Sequence, residues 1–153
     1  MSAELNRIDA DIANAVQVRD VMITRPKIVD STISVGRAQE LFADDHVHML
    51  LVVEQRRLIA TLTRTDLPIG YTQHCCSALV FAVMKGRCIR EDEPALEILS
   101  RMSLQKIRRL AVVDEHLHVV GLLCLKRSGN GFCSDDDVRA RGSSLHLRPS
   151  TSR

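Results

Sequence analysis

Apolar and polar positions along this chain follow two periods, and the same succession of blocks occurs twice. Leu5, Ile8, Ile12 and Val16 recur every three to four residues behind Ser2, a candidate N-cap, which predicts an amphipathic helix over residues 1–17. A second helical stripe, Val35, Ala38, Leu41 and Phe42, follows the capping residue Ser34. A third, Leu96, Leu99 and Met102, follows Pro94, which suits a first helical turn. Between the helices lie runs that are apolar without alternation, Leu50-Leu51-Val52-Val53 ending at Glu54 and Leu110-Ala111-Val112-Val113 ending at Asp114. Such runs predict strands buried on both faces. Polar turns, Gln55-Arg56-Arg57 and Glu115-His116, lead into further strands over Leu58–Thr63 and Val119–Leu125.

These blocks form an internal duplication. The first copy runs from Val18 to about Pro68 and the second from about Val80 to Ser128, with matching positions near 61 residues apart. Asp20-Val21-Met22 opens one and Ala82-Val83-Met84 the other. The predicted class is α/β (α+β), each copy reading β-α-β-β-α. The first closing helix is expected to start around Asp66–Pro68, while Gly129-Asn130-Gly131 breaks the second. The organisation is thus a helix at 1–17, copy one at 18–68, a connector at 69–79 and copy two at 80–133. The tail 134–153, rich in Asp, Ser and Arg with only two Leu, is expected to be disordered because it cannot offset its ordering entropy.

Composition narrows the function. Aromatics are 3% with no Trp, so the core rests on aliphatic residues and the stacking platforms of single-strand nucleic-acid binders are missing. A net charge of +2 points to no electrostatic partner of either sign, and Asp135-Asp136-Asp137 interrupts the basic tail residues Arg139, Arg141, Arg148 and Arg153, which argues against a nucleic-acid regulator. No apolar stretch has the length of a membrane span, and the N-terminus lacks the apolar segment of a signal peptide, so a cytoplasmic location is expected. Five cysteines without CxxC spacing fit reduced thiols better than a disulfide framework. His74, Cys75, Cys76 and Cys88 lack metal-ligand spacing, as do His46 and His48, and no metal is expected. Nucleotide-loop, serine-hydrolase and zinc-protease motifs are missing too, so no enzyme is expected.

The duplicated pieces resemble the cystathionine-β-synthase (CBS) domain family, which occurs as tandem pairs called Bateman modules. The resemblance rests on Val18-Arg19-Asp20-Val21-Met22 with Pro26, on Leu51-Val52-Val53-Glu54, and on Ala60-Thr61-Leu62-Thr63-Arg64-Thr65-Asp66 in the place of Gly-x-x-Thr-x-x-Asp. The second copy adds Val83-Met84, Ala111-Val112-Val113-Asp114 and Gly121-Leu122-Leu123. It implies two copies packed by their sheets about a pseudo-two-fold axis with helices outside, a homodimer, and clefts for AMP, ADP, ATP or S-adenosylmethionine. It implies a regulatory module acting on a separate protein that the sequence does not identify. The alternative is a structural dimerisation scaffold whose ligand sites have decayed.

Thr63 and Asp66 stand where a strand gives way to a helix, a place where hydroxyl, N–H groups and helix dipole converge. The resemblance puts Thr63 at phosphate and Asp66 on ribose hydroxyls, while helix capping alone would use the same two residues. His48 and Met49 stand just before the first buried strand as Arg108 and Arg109 do before the second, and by the same resemblance the His or Arg at this position meets phosphate, as the planar Arg fork does well, although surface Arg pairs are also common. His46-Val47-His48 equally suits an exposed turn. Ile28 or Val29 would line the adenine slot, or be plain core. In copy two the matching positions are Cys124 and Arg127, a poor donor and a non-acceptor, so one good site per chain is expected.

Overall fold

The computed structural model describes residues 16–68 and 76–135. The expected N-terminal helix up to Ala15, connector residues 69–75 with His74 and Cys75, and the tail beyond Asp135 lie outside them. The elements are α1 (Val18–Val21), β1 (Lys27–Asp30), α2 (Val35–Phe42), β2 (Met49–Glu54), β3 (Arg57–Thr63) and a 3-10 turn at Arg64–Asp66. A second 3-10 turn at Ala78–Phe81 precedes β4 (Cys88–Arg90), α3 (Ala95–Gln105), β5 (Arg109–Val113) and β6 (Val119–Cys124).

Two three-stranded sheets result, ordered β1-β2-β3 and β4-β5-β6. In each, the first pair is parallel across its helix and the second is an antiparallel hairpin. The duplication extends to a shared irregularity, a register shift at Val52/Val53 and at Val112/Val113. The sheets explain the unbroken apolar runs. Leu50 and Val52 point into one core with Val35, Ala38 and Phe42 of α2, while Met49 and Leu51 point the other way, against Ala111 and Val113. Leu110 and Val112 likewise pack under Ile98 and Met102 of α3. Both faces of β2 and β5 are covered, so alternation has no role there.

The lead-in segments are exchanged between the copies. Val83 and Thr61 trade backbone hydrogen bonds of 2.8 Å each way, and Ile23 and Leu122 do the same at 2.7 and 2.9 Å. Val18, which opens copy one, is buried in the core of copy two, and Ala78, in the lead-in to copy two, in the core of copy one. Gly121 stands where this crossing leaves no room for a side chain: a Cβ there would stand 2.6 Å from both the Ile23 carbonyl oxygen and the Met22 sulfur.

The local signal at the start of α2 holds. Ser34 Oγ accepts from the Arg37 N–H at 3.1 Å, the expected N-cap. Two differences stand out. The buried stripe of α3 is Ala95, Ile98 and Met102, with Leu99 partly buried, whereas Leu96, expected to face inward, is 51% exposed. Positions i, i+3 and i+7 share one face, and Leu96 lies about 100° round the helix from Ala95. The closing helix of copy one is only the 3-10 turn within the described residues, and in copy two the chain reverses at Gly129, φ 78°, so that Phe132 pairs with Leu125. No described helix is long and apolar enough to cross a membrane.

Candidate functional site

The register of the first hairpin sets Thr63, at the end of β3, opposite Met49, at the start of β2, with His48 beside it. Beyond Thr63 the chain tightens, and the Asp66 carboxylate folds back to accept the Thr63 N–H at 2.7 Å. Its two oxygens also accept from both terminal nitrogens of Arg87, Nη1 at 3.0 Å and Nη2 at 2.9 Å. Arg87 belongs to the lead-in of copy two, brought here by the Val83–Thr61 pairing. Its Nη1 also reaches Thr61 Oγ1 at 3.2 Å, and that fully buried hydroxyl donates to the Val83 carbonyl at 2.7 Å. Burial acts to raise the Asp66 pKa, but the Arg87 hydrogen bonds, the Thr63 bonds and the Arg87 charge outweigh it and hold the carboxyl below its ordinary range.

In front of this pair lies an open cavity of about 310 Å³. Copy one contributes His48, Met49, Thr63, Arg64 and Thr65, and the opposite wall is Gly86, Arg87, Ile107, Arg108 and Arg109. His48, Met49, Thr63, Arg108 and Arg109 are thus brought together as a group, from stretches 60 residues apart in places. Asp66 stands behind the wall, reached through Arg87. Ile28, on β1, is not among the lining residues; it pairs with Leu51 of β2 and is 47% exposed.

Sequence reasoning missed Arg64, Thr65, Gly86, Arg87 and Ile107. A signal for Arg87 was available: an arginine stands three residues after the methionine in both copies, Met22 to Arg25 and Met84 to Arg87.

The cations here are differently committed. Arg64 Nη2 donates to the carbonyls of Phe42, Asp44 and Val47 at 2.7, 3.2 and 3.0 Å, which closes the C-terminal end of α2, and its guanidinium lies 5.7 Å from the Phe42 ring centre. Arg108 donates from Nη2 to the Leu125 carbonyl at 3.2 Å, while its buried Nε has no hydrogen-bond partner among the described residues. For Arg109, burial lowers the pKa and the Arg108 charge adds to this, against the pull of the Cys124 and Cys133 sulfurs. No carboxylate lines the cavity among the described residues, so its field is positive and suits an anion.

The matching corner of copy two is built otherwise. Cys124 pairs with Arg109 as Thr63 does with Met49. Against Cys124 lies Cys133, and Asp135 accepts from the N–H and hydroxyl of Thr24 at 2.8 and 2.9 Å. No group of three His, Cys, Asp or Glu able to hold a metal occurs among the described residues.

A family model described as the CBS domain matches residues 18–67 and 83–127. No curated protein sequence matches the chain. Among solved structures, the CBS domain pair of protein MJ0100 in complex with 5′-methylthioadenosine and S-adenosyl-L-methionine is 22% identical over 84% of this chain and 98% of that one, TM-score 0.60. A CBS domain protein of Pyrobaculum aerophilum complexed with AMP is 15% identical over 74% and 94%, TM-score 0.62. The cytosolic domain of the Mg2+ channel MgtE in complex with ATP is 19% identical over 71% of this chain and 45% of that one, TM-score 0.61.

Proposed function

Because the chain belongs to the CBS-domain family and carries the domain twice, we propose that it binds one adenosyl ligand between its copies and signals occupancy to a separate protein. The observation that carries this reading is the Asp66–Arg87 pair at the edge of the arginine-lined cavity. A carboxylate accepts the two hydroxyls of a ribose, and the guanidiniums suit phosphate oxygens. The solved relatives that hold AMP, ATP or S-adenosyl-L-methionine share this fold.

Ligand entry has a structural consequence in this reading. A ribose engaging Asp66 competes with Arg87, so binding exchanges a contact between copies for a contact with ligand. The released Arg87 joins Arg108 and Arg109, whose unpartnered Nε is a donor in waiting at Arg108. Occupancy and the relative placement of the copies are then coupled, as a sensor requires. A non-catalytic role, a homodimer and a cytoplasmic location complete the proposal; the size of the particle in solution tests the second.

A thermal-shift panel with AMP, ADP, ATP and S-adenosylmethionine tests the ligand. At a hundredfold excess over Kd a ligand specific for the folded state adds about 2.7 kcal/mol, several degrees in Tm. One adenosyl compound should raise Tm in the parent and fail in Asp66→Ala. The scaffold reading draws on the same ion pair, since Arg87 already satisfies Asp66. It gains if no compound moves Tm in a folded, dimeric sample.

A further inference from the structure

Outside the cavity the structure holds a second chemical group that the ligand reading does not use. Cys124 Sγ and Cys133 Sγ are 3.2 Å apart. They face one another because the chain reverses after β6: Leu125 pairs with Phe132, and the Cys133 N–H donates to the Cys124 carbonyl at 2.7 Å. Both side chains are nearly enclosed, Cys124 at 4% and Cys133 at 8% exposure, beside Ile23 and Leu122. Arg109, across the hairpin from Cys124, hydrogen-bonds its sulfur and sets a positive charge against both thiols.

We propose that Cys124 and Cys133 are a redox modification site, a dithiol that a hydroperoxide such as hydrogen peroxide converts to an intramolecular disulfide. One thiolate attacks a peroxide oxygen; the S–O bond forms, the O–O bond breaks, and the departing hydroxide takes a proton to become water. The second thiolate then attacks the resulting sulfenic sulfur; the S–S bond forms, the S–O bond breaks, and a second water leaves. Two thiols and one hydrogen peroxide give one disulfide and two waters. The sulfurs need to close by only about 1.2 Å to reach a disulfide length near 2.05 Å. Main-chain pairing already sets the backbone positions, so this movement falls to the side chains.

At Cys88, burial, with the Glu93 charge behind it, raises the thiol pKa. The product would fasten residues 126–133 to β6, next to Asp135 on Thr24. It would also take from Arg109, a wall of the ligand cavity, its thiol partner.

The test uses the full chain, fully reduced, exposed to hydrogen peroxide without denaturant, then alkylated, digested and mapped by mass. The expected product is a single uncrosslinked chain lighter by two hydrogens, with Cys124 and Cys133 peptides joined, three of the five cysteines still open to alkylation, and full reversal by dithiothreitol. In Cys133→Ser, checked for native circular dichroism, the loss of two hydrogens should vanish and Cys124 should be trapped by dimedone as sulfenic acid. The proposal is overturned if both cysteines stay alkylatable while Cys75, Cys76 or Cys88 is oxidised, or if the disulfide joins any other pair or two chains.

Discussion

Replacing Arg87 by Ala should cost far more stability than removing an ordinary surface arginine. The Arg87 side chain is 21% exposed and its partner Asp66 12%, and the pair is bidentate, with both carboxylate oxygens engaged at about 3 Å. Hydrogen bonds to charged groups contribute about 1.5–3 kcal/mol, and stranding one partner of a buried pair costs about 3–5 kcal/mol. Asp66 keeps the Thr63 N–H and some contact with water, so the lower part of that span applies, about 2–3 kcal/mol. For a folded body of this size that is roughly an 8–12 °C fall in Tm. Arg90→Ala is the control: its pair with Asp92 is 46% and 45% exposed, worth about 0.2–1 kcal/mol. Urea and thermal melts of Arg87→Ala, Asp66→Ala and the double variant give the coupling energy, which should exceed about 1 kcal/mol. A parent-like Tm in Arg87→Ala, or a coupling near zero, would refute the claim that this contact ties the copies together.

The Asp66 carboxyl titrates below its ordinary value of 3.8 when folded, so its contribution is complete above that value and fades as pH falls through the depressed folded pKa. The Tm gap between parent and Arg87→Ala should therefore be constant near neutrality and narrow only in acid, as melts across pH would show. Gly121→Ala sets a Cβ against the Ile23 carbonyl and should lower the unfolding free energy, read from urea melts, by about 1–3 kcal/mol, whereas Ala60, its counterpart in β3, already holds a Cβ at the matching register. Ile98→Ala should cost about 2–5 kcal/mol and Leu96→Ala within about 0.5, since the first is 1% exposed and the second 51%. Equal losses would return Leu96 to the buried face.

Much of this molecule was legible along the chain because its signals are local. The unbroken apolar runs at Leu50 and Leu110 marked strands covered on two faces, and Ser34 marked a helix start, since a cap acts within three residues of itself. Duplication was legible for the same reason: each copy repeats its own short-range pattern. Copying also announced one complete Thr63/Asp66 corner and one altered corner at Cys124 and Arg127. The error at Leu96 shows where periodicity stops, because spacings of three and four leave the phase of the stripe open until a partner surface fixes it.

What tertiary structure alone decided are the meetings between elements. Nothing in the spacing of Arg87 and Asp66, 21 residues apart, announces a bidentate pair; it arises because the lead-ins cross and Val83 pairs with Thr61. The crossing also places Val18 and Ala78 in cores belonging to the other copy. Cys124 and Cys133 read as two of five unrelated thiols until the reversal at Gly129 set them sulfur to sulfur. A sequence records the periods of 2 and 3.6 residues that place a side chain on a face, while the partner it meets depends on how the chain returns through space.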